Sequence, residues 1–430
     1  MVAAHKLNSQ ILKSLKIRGS KQRFFQFFTV ACCVLLPWNA TALSEGSLSD
    51  KIFTRKFGRD LVESLLVKSL MEITQGNTKQ AMSTVNELIK TAPNFKLAYL
   101  IRGDLLTAQG NPLATFGNSA LEGKPSADEI EGLREEARTR VAHYFSEDKN
   151  HQTPDLMVQL DDAQQHLIVI DTVKTRLFLY KKTDKSLQYV ADYYVTIGKN
   201  GFGKETEGDK RTPLGVYFAG QKLDRKLDDI YGDAAFPLNY PNELDEHANK
   251  KGGGIWIHGT PTNTYSRPPR ASDGCVVLSN PDLKALAPIL QSGNTPVIIS
   301  DKLKWVDSDK ADLQSADKEA LQKSIEKWRA DWVSQNSDAY LSHYSKKFFY
   351  NDGGFNKWAD YKRGIQANKP KVSIKIEDVG IFSYPNVDGS VVVVNFVQDF
   401  KSPTLQNKMR KRQYWQHENN QWKIIYEGSA

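Results

Sequence analysis

Ile255-Trp256-Ile257-His258-Gly259-Thr260, followed after a loop by Ser272-Asp273-Gly274-Cys275-Val276-Val277-Leu278, decides how this 430-residue chain is read. Each stretch is a short β-branched run ending on or opening from a reactive side chain. A cysteine nucleophile needs a neighbouring imidazole to take its proton and stabilise the thiolate. His258 stands at an expected strand end beside Gly259, where backbone can approach a substrate closely. Gly274 permits a tight turn that would present the Cys275 sulfur at the head of the next element. Backbone N–H groups at Gly274 and Cys275 are expected to meet the oxyanion of a tetrahedral intermediate. Ser272 is read as bonding this loop, with a plain turn serine as the alternative.

Working outward, Leu167-Ile168-Val169-Ile170, Arg176 to Tyr180, Tyr189 to Ile197 and Val297-Ile298-Ile299 are further short β-rich runs. They are separated by long loops rich in glycine and proline, and loops of that length usually carry function. Residues 155–301 therefore read as a central, mainly-β domain. Before it, residues 43–150 carry apolar side chains at helical spacing, as in Leu61, Leu65, Leu66, Leu70 and Ile73. Gln75-Gly76-Asn77 recurs as Gln109-Gly110-Asn111, which resembles a tetratricopeptide helical hairpin. A helical module for a protein partner or a dimer is the expectation. Residues 302–317 are a charged linker. Residues 318–430 open on a helix marked by Leu321, Ile325, Trp328 and Trp332, then run through alternating strands, an α+β pattern. That order resembles the nuclear transport factor 2-like cone, with no ligand assigned to it.

The chain carries a formal net charge of +8, and six of its cations precede residue 43 while no acid occurs before Glu45. Without residues 1–42 the net charge is +2, which excludes the footprint of a nucleic-acid binder. Those residues read as a secretory leader: a basic start, an apolar run from Phe24 to Leu36, and Ala40-Thr41-Ala42 as the cleavage site. An uncleaved anchor and a lipidated Cys32 are the alternatives; cleaved export to a bacterial periplasm or envelope is favoured. Cys32 and Cys33 leave with the leader, so Cys275 stays as a lone thiol that must be buried or reactive.

His-Gly-Thr followed by Ser-x-Gly-Cys resembles the L,D-transpeptidase (YkuD-type) catalytic domain. So does Asp209-Lys210-Arg211-Thr212-Pro213-Leu214-Gly215, matching that family's Asp-x-x-Thr-Pro-x-Gly. The resemblance implies that Cys275 forms a thioacyl enzyme at the L-centre of a peptidoglycan tetrapeptide stem, releasing D-alanine. It implies His258 as base and then acid, and Gly259 as the residue whose carbonyl orients the imidazole. An amine acceptor makes a transpeptidase and water an L,D-carboxypeptidase. With its flanking modules the chain resembles the cell-shape L,D-carboxypeptidases of bent and helical bacteria. Where the family has arginine two residues after the cysteine, this chain has Val277. Arg267 or Arg270 is expected to supply the missing cation, and a non-catalytic wall-binding scaffold is the reading of another class. Tyr265 and Pro268-Pro269 are weighed as a lid over the cysteine against a passive loop. His143, His151, His166 and His247 lack ligand spacing, so neither a metal nor a cofactor is expected. His343, Asp360 and His417 are weighed as pocket residues against ordinary surface residues.

Overall fold

The computed structural model describes residues 61–430 apart from 111–112, 114, 118–125, 147–151, 185, 291–293, 308–315, 351–352, 368–370, 386 and 388–389. The expected leader and part of the expected linker lie outside the described residues. Two compact units result, one of Met1–Ser146 with Pro261–Pro269, the other of Glu147–Thr260 with Arg270–Ala430.

The first unit is helical: α1 (Leu61–Thr74), α2 (Thr78–Thr91), α3 (Lys96–Thr107) and α4 (Ala127–Tyr144). Between α1 and α2 the chain reverses at Gln75-Gly76-Asn77, where Gly76 takes φ +81°, a conformation that costs glycine little. In α2 the fully buried Ala81, Val85 and Leu88 recur at the spacing of one helix face. A capping box starts α4: Ser126 accepts from the Glu129 N–H, and the Glu129 carboxylate accepts from the Ser126 N–H.

The second unit opens with β1 (Gln152–Pro154), β2 (Val158–Gln159), β3 (His166–Asp171), β4 (Arg176–Lys182), β5 (Leu187–Tyr194), β6 (Ile197–Gly198) and β7 (Gly215–Ala219). Then come β8 (Ala235–Pro237), α5 (Glu243–His247), β9 (Trp256–His258), β10 (Arg270–Ser272), β11 (Val276–Val277), α6 (Asn280–Leu290), β12 (Thr295–Ser300) and β13 (Trp305–Asp307). A five-stranded sheet runs β5-β4-β3-β12-β7, and a small sheet runs β11-β9-β8. The apolar run of β3 is continuous because both its faces are covered. Ile168 and Ile170 pack toward α6 and the small sheet, whereas Leu167 and Val169 pack into a second core.

That second core is shared with the C-terminal part, α7 (Ala316–Val333), α8 (Ser337–Leu341), β14 (Tyr344–Tyr350), β15 (Gly353–Gly354), α9 (Phe355–Gln366), β16 (Ser373–Tyr384), β17 (Val391–Lys401), β18 (Gln406–Glu418) and β19 (Gln421–Ser429). Its seven-stranded sheet runs β15-β14-β19-β18-β17-β16-β2. Val392, Val394, Phe396 and Trp415 face the helices, where Trp328 is fully buried. Val391, Val393, Tyr414 and Phe382 face the five-stranded sheet and join Leu167, Val169, Phe178 and Tyr180. The multidomain architecture is thus helical, then mainly β, then α+β. One detail departs from the expected division of the chain: Val158 and Gln159, placed at the start of the central domain, form the edge strand of the C-terminal sheet against Phe382 and Ile381.

Candidate active site

The site is built on two parallel strands. β11 pairs with β9 so that Val276 lies opposite Ile257 and Val277 opposite His258. Side chains alternate across a strand, so Trp256 and His258 share one face of the small sheet while Ile257 enters the core. The same register places Cys275, one residue before the first pair, beside Trp256. Cys275 is half-buried, is the one cysteine among the described residues, and its Sγ lies 3.5 Å from the Gly254 carbonyl.

His258 is 3% exposed, and its Nδ1 lies 2.7 Å from the Gly259 carbonyl. A carbonyl only accepts, so Nδ1 carries the proton and the basic lone pair of the neutral ring is on Nε2. Gly259 is in turn held from behind. Its N–H donates to the Tyr231 and Ala234 carbonyls at 3.0 and 3.3 Å. The Asn280 side chain donates to the Thr260 carbonyl at 2.9 Å and accepts from the Asp233 N–H at 3.2 Å. A Cβ on Gly259 would stand 2.0 Å from Asn280 Oδ1, so this position has room for glycine alone. Edge-on against the imidazole, at 5.2 Å between centroids, sits the ring of Tyr231.

The cysteine turn is fixed by two hydroxyls. Ser272 Oγ donates to the Cys275 carbonyl at 2.6 Å and accepts the Gly274 N–H at 3.1 Å. Thr212 Oγ1 donates to the Gly274 carbonyl at 2.9 Å and accepts the Gly198 N–H at 2.9 Å. Gly274 adopts φ +125°, and a Cβ there would meet the Arg211 carbonyl oxygen at 2.8 Å. The Gly274 N–H thus bonds Ser272 within the turn that Gly274 makes. Asp209 organises the adjoining loop. Burial works to raise its pKa, but the N–H groups of Glu205, Thr206 and Arg211 and the Lys204 ammonium at 2.9 Å outweigh it, bringing the pKa to about 2. The Asp-x-x-Thr-Pro stretch therefore braces the cysteine turn.

The loop between His258 and Cys275 makes specific contacts of its own. Pro261–Pro269 packs with the helical unit. The Tyr265 ring lies 5.1 Å from Phe95, its N–H donates to the Asn94 carbonyl at 3.0 Å, and Ser266 Oγ donates to Glu136 at 2.6 Å. Glu136 is wholly buried beside Arg140, which also holds Glu63; burial pushes the Glu136 carboxyl above its ordinary range, against the Arg140 charge. Arg267 belongs to this unit, while Arg270 is exposed at the start of β10. His343 is buried against Asp331 at 2.7 Å, His417 packs edge-on to Trp422, and Asp360 is exposed. Tyr231 and Asn280 were missed by sequence reasoning. The Ser279-Asn280-Pro281 helix start was a usable signal for Asn280; Tyr231 ends a short 3-10 helix, Asp229–Tyr231, that has none.

Comparison with known proteins agrees with this geometry. Residues 165–299 match the L,D-transpeptidase catalytic domain model (YkuD), and residues 320–428 match the Cds6 C-terminal NTF2-like domain. The chain thus carries an L,D-transpeptidase-type catalytic domain followed by an NTF2-like domain. Among solved structures it is similar to the helical cell shape determining protein Pgp2 from Campylobacter jejuni, at 27% identity and a TM-score of 0.54 over 66% of this chain and 96% of that one. It is similar to Bd1075 from Bdellovibrio bacteriovorus at 26% identity and a TM-score of 0.55, over 65% of this chain and 98% of that one. No curated protein sequence matches it.

Proposed function

We propose that this chain is an exported, cysteine-dependent peptidoglycan enzyme that opens tetrapeptide stems at their L-centre and acts in setting cell shape. The observation that carries the reading is the His258–Gly259 bond beside the Cys275 turn, which directs the basic nitrogen Nε2 away from the backbone. Nε2 takes the thiol proton, and the thiolate attacks the carbonyl carbon of the L-centre residue. The imidazolium then protonates the leaving D-alanine nitrogen as the C–N bond breaks, leaving a thioester on Cys275. Water, deprotonated by Nε2, resolves the thioester to a tripeptide carboxylate; an amine acceptor would give a crosslink instead. The resemblance to the cell-shape L,D-carboxypeptidases, together with similarity to a cell shape determining protein, supports trimming by water.

The test is mass spectrometry of products from a tetrapeptide muropeptide. Tripeptide and D-alanine from wild type, with none from Cys275→Ala, is the expected outcome. A 3–3 crosslinked dimer would transfer the assignment to transpeptidation, and no D-alanine release would refute the stem-peptide reading.

A further inference from the structure

The arginine expected two residues after the nucleophile is replaced by Val277, which is buried at 2% exposure, so no cation can be read at that position. The face of the small sheet that carries His258 and Trp256 offers another. Trp256 is half-buried although Ile255 and Ile257 on either side are fully buried. The Tyr231 ring fills the space beside it, 4.9 Å from the indole and 5.2 Å from the imidazole. Over the indole, at 5.5 Å from its centroid, stands the guanidinium of Arg225. Arg225 is exposed and has no carboxylate partner among the described residues, whereas Arg176, Arg410 and Arg412 of the same unit each hold one. Lys222, Arg225 and Lys226 offset Asp224, Asp228 and Asp229 on the loop, so the loop's overall field does not select a ligand. A fixed planar fork of donors does.

We propose that Arg225, seated on Trp256, is the specificity-determining residue of the donor subsite and binds a carboxylate of the stem peptide next to the scissile bond. The proposal rests on the stem-peptide reading above. By register Trp256 adjoins Cys275, so a guanidinium 5.5 Å from the centre of that indole belongs to the surroundings of the nucleophile. Two carboxylates of a stem flank the scissile bond: the side-chain carboxylate of the diamino acid being attacked, and the α-carboxylate of the preceding γ-linked glutamyl residue. The ligand chemistry is the same, and the experiment separates them.

The full chain would be assayed for D-alanine release on three synthetic tetrapeptides: unmodified, amidated at the glutamyl α-carboxylate, and amidated at the diamino-acid side chain. Wild type is expected to lose ten-fold or more in kcat/KM, chiefly through KM, on one amidated substrate, and that substrate identifies the carboxylate. Arg225→Ala should lose the same factor on the unmodified peptide and nothing further on the sensitive amide, with Arg225→Lys in between. Alkylation of Cys275 by the neutral reagent iodoacetamide should keep its rate and pH profile in both variants. Equal loss on all three peptides, no loss, or an altered alkylation profile would overturn the inference while leaving the enzyme reading intact. If wild type releases no D-alanine from any peptide, the enzyme reading falls and this inference with it.

Discussion

Gly259 and Asn280 should behave as one unit, and a double-mutant cycle measures it. Gly259→Ala places a Cβ 2.0 Å from Asn280 Oδ1 and 3.2 Å from its Cγ; the next contact, the Asp233 backbone nitrogen at 3.3 Å, is tight and must give by a few tenths of an ångström. Overpacking of this kind costs about 1–3 kcal/mol. Asn280→Ala alone removes bonds to the Thr260 carbonyl and from the Asp233 N–H, about 1–3 kcal/mol together. Yet it also deletes the two atoms with which the new methyl collides. Gly259 is not held at positive φ, so alanine there carries no backbone penalty of its own. The double variant should therefore be only slightly less stable than Asn280→Ala, giving a favourable coupling close to the Gly259→Ala cost, about 1–3 kcal/mol. Urea denaturation of the four proteins, with unchanged slopes, reads the cycle. Iodoacetamide alkylation of Cys275 should follow the same pattern, since both changes act on the backbone that orients His258. Plain additivity of the two single losses would refute the argument that Asn280 is what forces glycine at this position.

Gly274→Ala should slow acylation of Cys275 by about 100-fold or more, because a Cβ meets backbone at 2.8 Å and the turn must shift the nucleophile; a carbapenem or iodoacetamide rate measures it. Thr212→Val leaves the buried Gly198 N–H and Gly274 carbonyl without their hydroxyl and should cost about 1–3 kcal/mol in denaturant unfolding. Arg140→Met strands the buried Glu63 and Glu136 carboxylates and should cost about 3–5 kcal/mol, a loss that Glu63→Gln and Glu136→Gln in the same chain should largely restore. Asp209 has its folded pKa held at about 2, below its unfolded value. Its contribution to stability is thus full above about pH 4 and fades as pH falls toward about 2, and Asp209→Asn should flatten that limb of an acid titration.

Much of this molecule was written locally. The β-branched runs of β3, β4 and β12, the helical faces of α1 and α2, and the alternation in β17 and β18 follow from side-chain periodicity, which short-range sterics and solvent enforce residue by residue. His258, Gly259, Ser272, Gly274 and Cys275 were legible for the same reason: a turn that needs glycine and a thiol that needs an imidazole leave a compact signature. Tertiary structure alone decided what depends on distant segments meeting. Both faces of β3 are apolar, and only folding assigns one to α6 and the other to β17 and β18. Val158–Gln159 joined the C-terminal sheet because an edge strand has open N–H and C=O groups to satisfy, whatever its place in the chain. Pro261–Pro269 went to the helices because buried Glu136 and Phe95 offered Ser266 and Tyr265 partners that no local pattern announces. Asn280 behind Gly259, Thr212 under Gly274, and Arg225 over Trp256 are likewise products of packing, because hydrogen bonds and ring contacts are short-ranged in space and indifferent to separation along the chain.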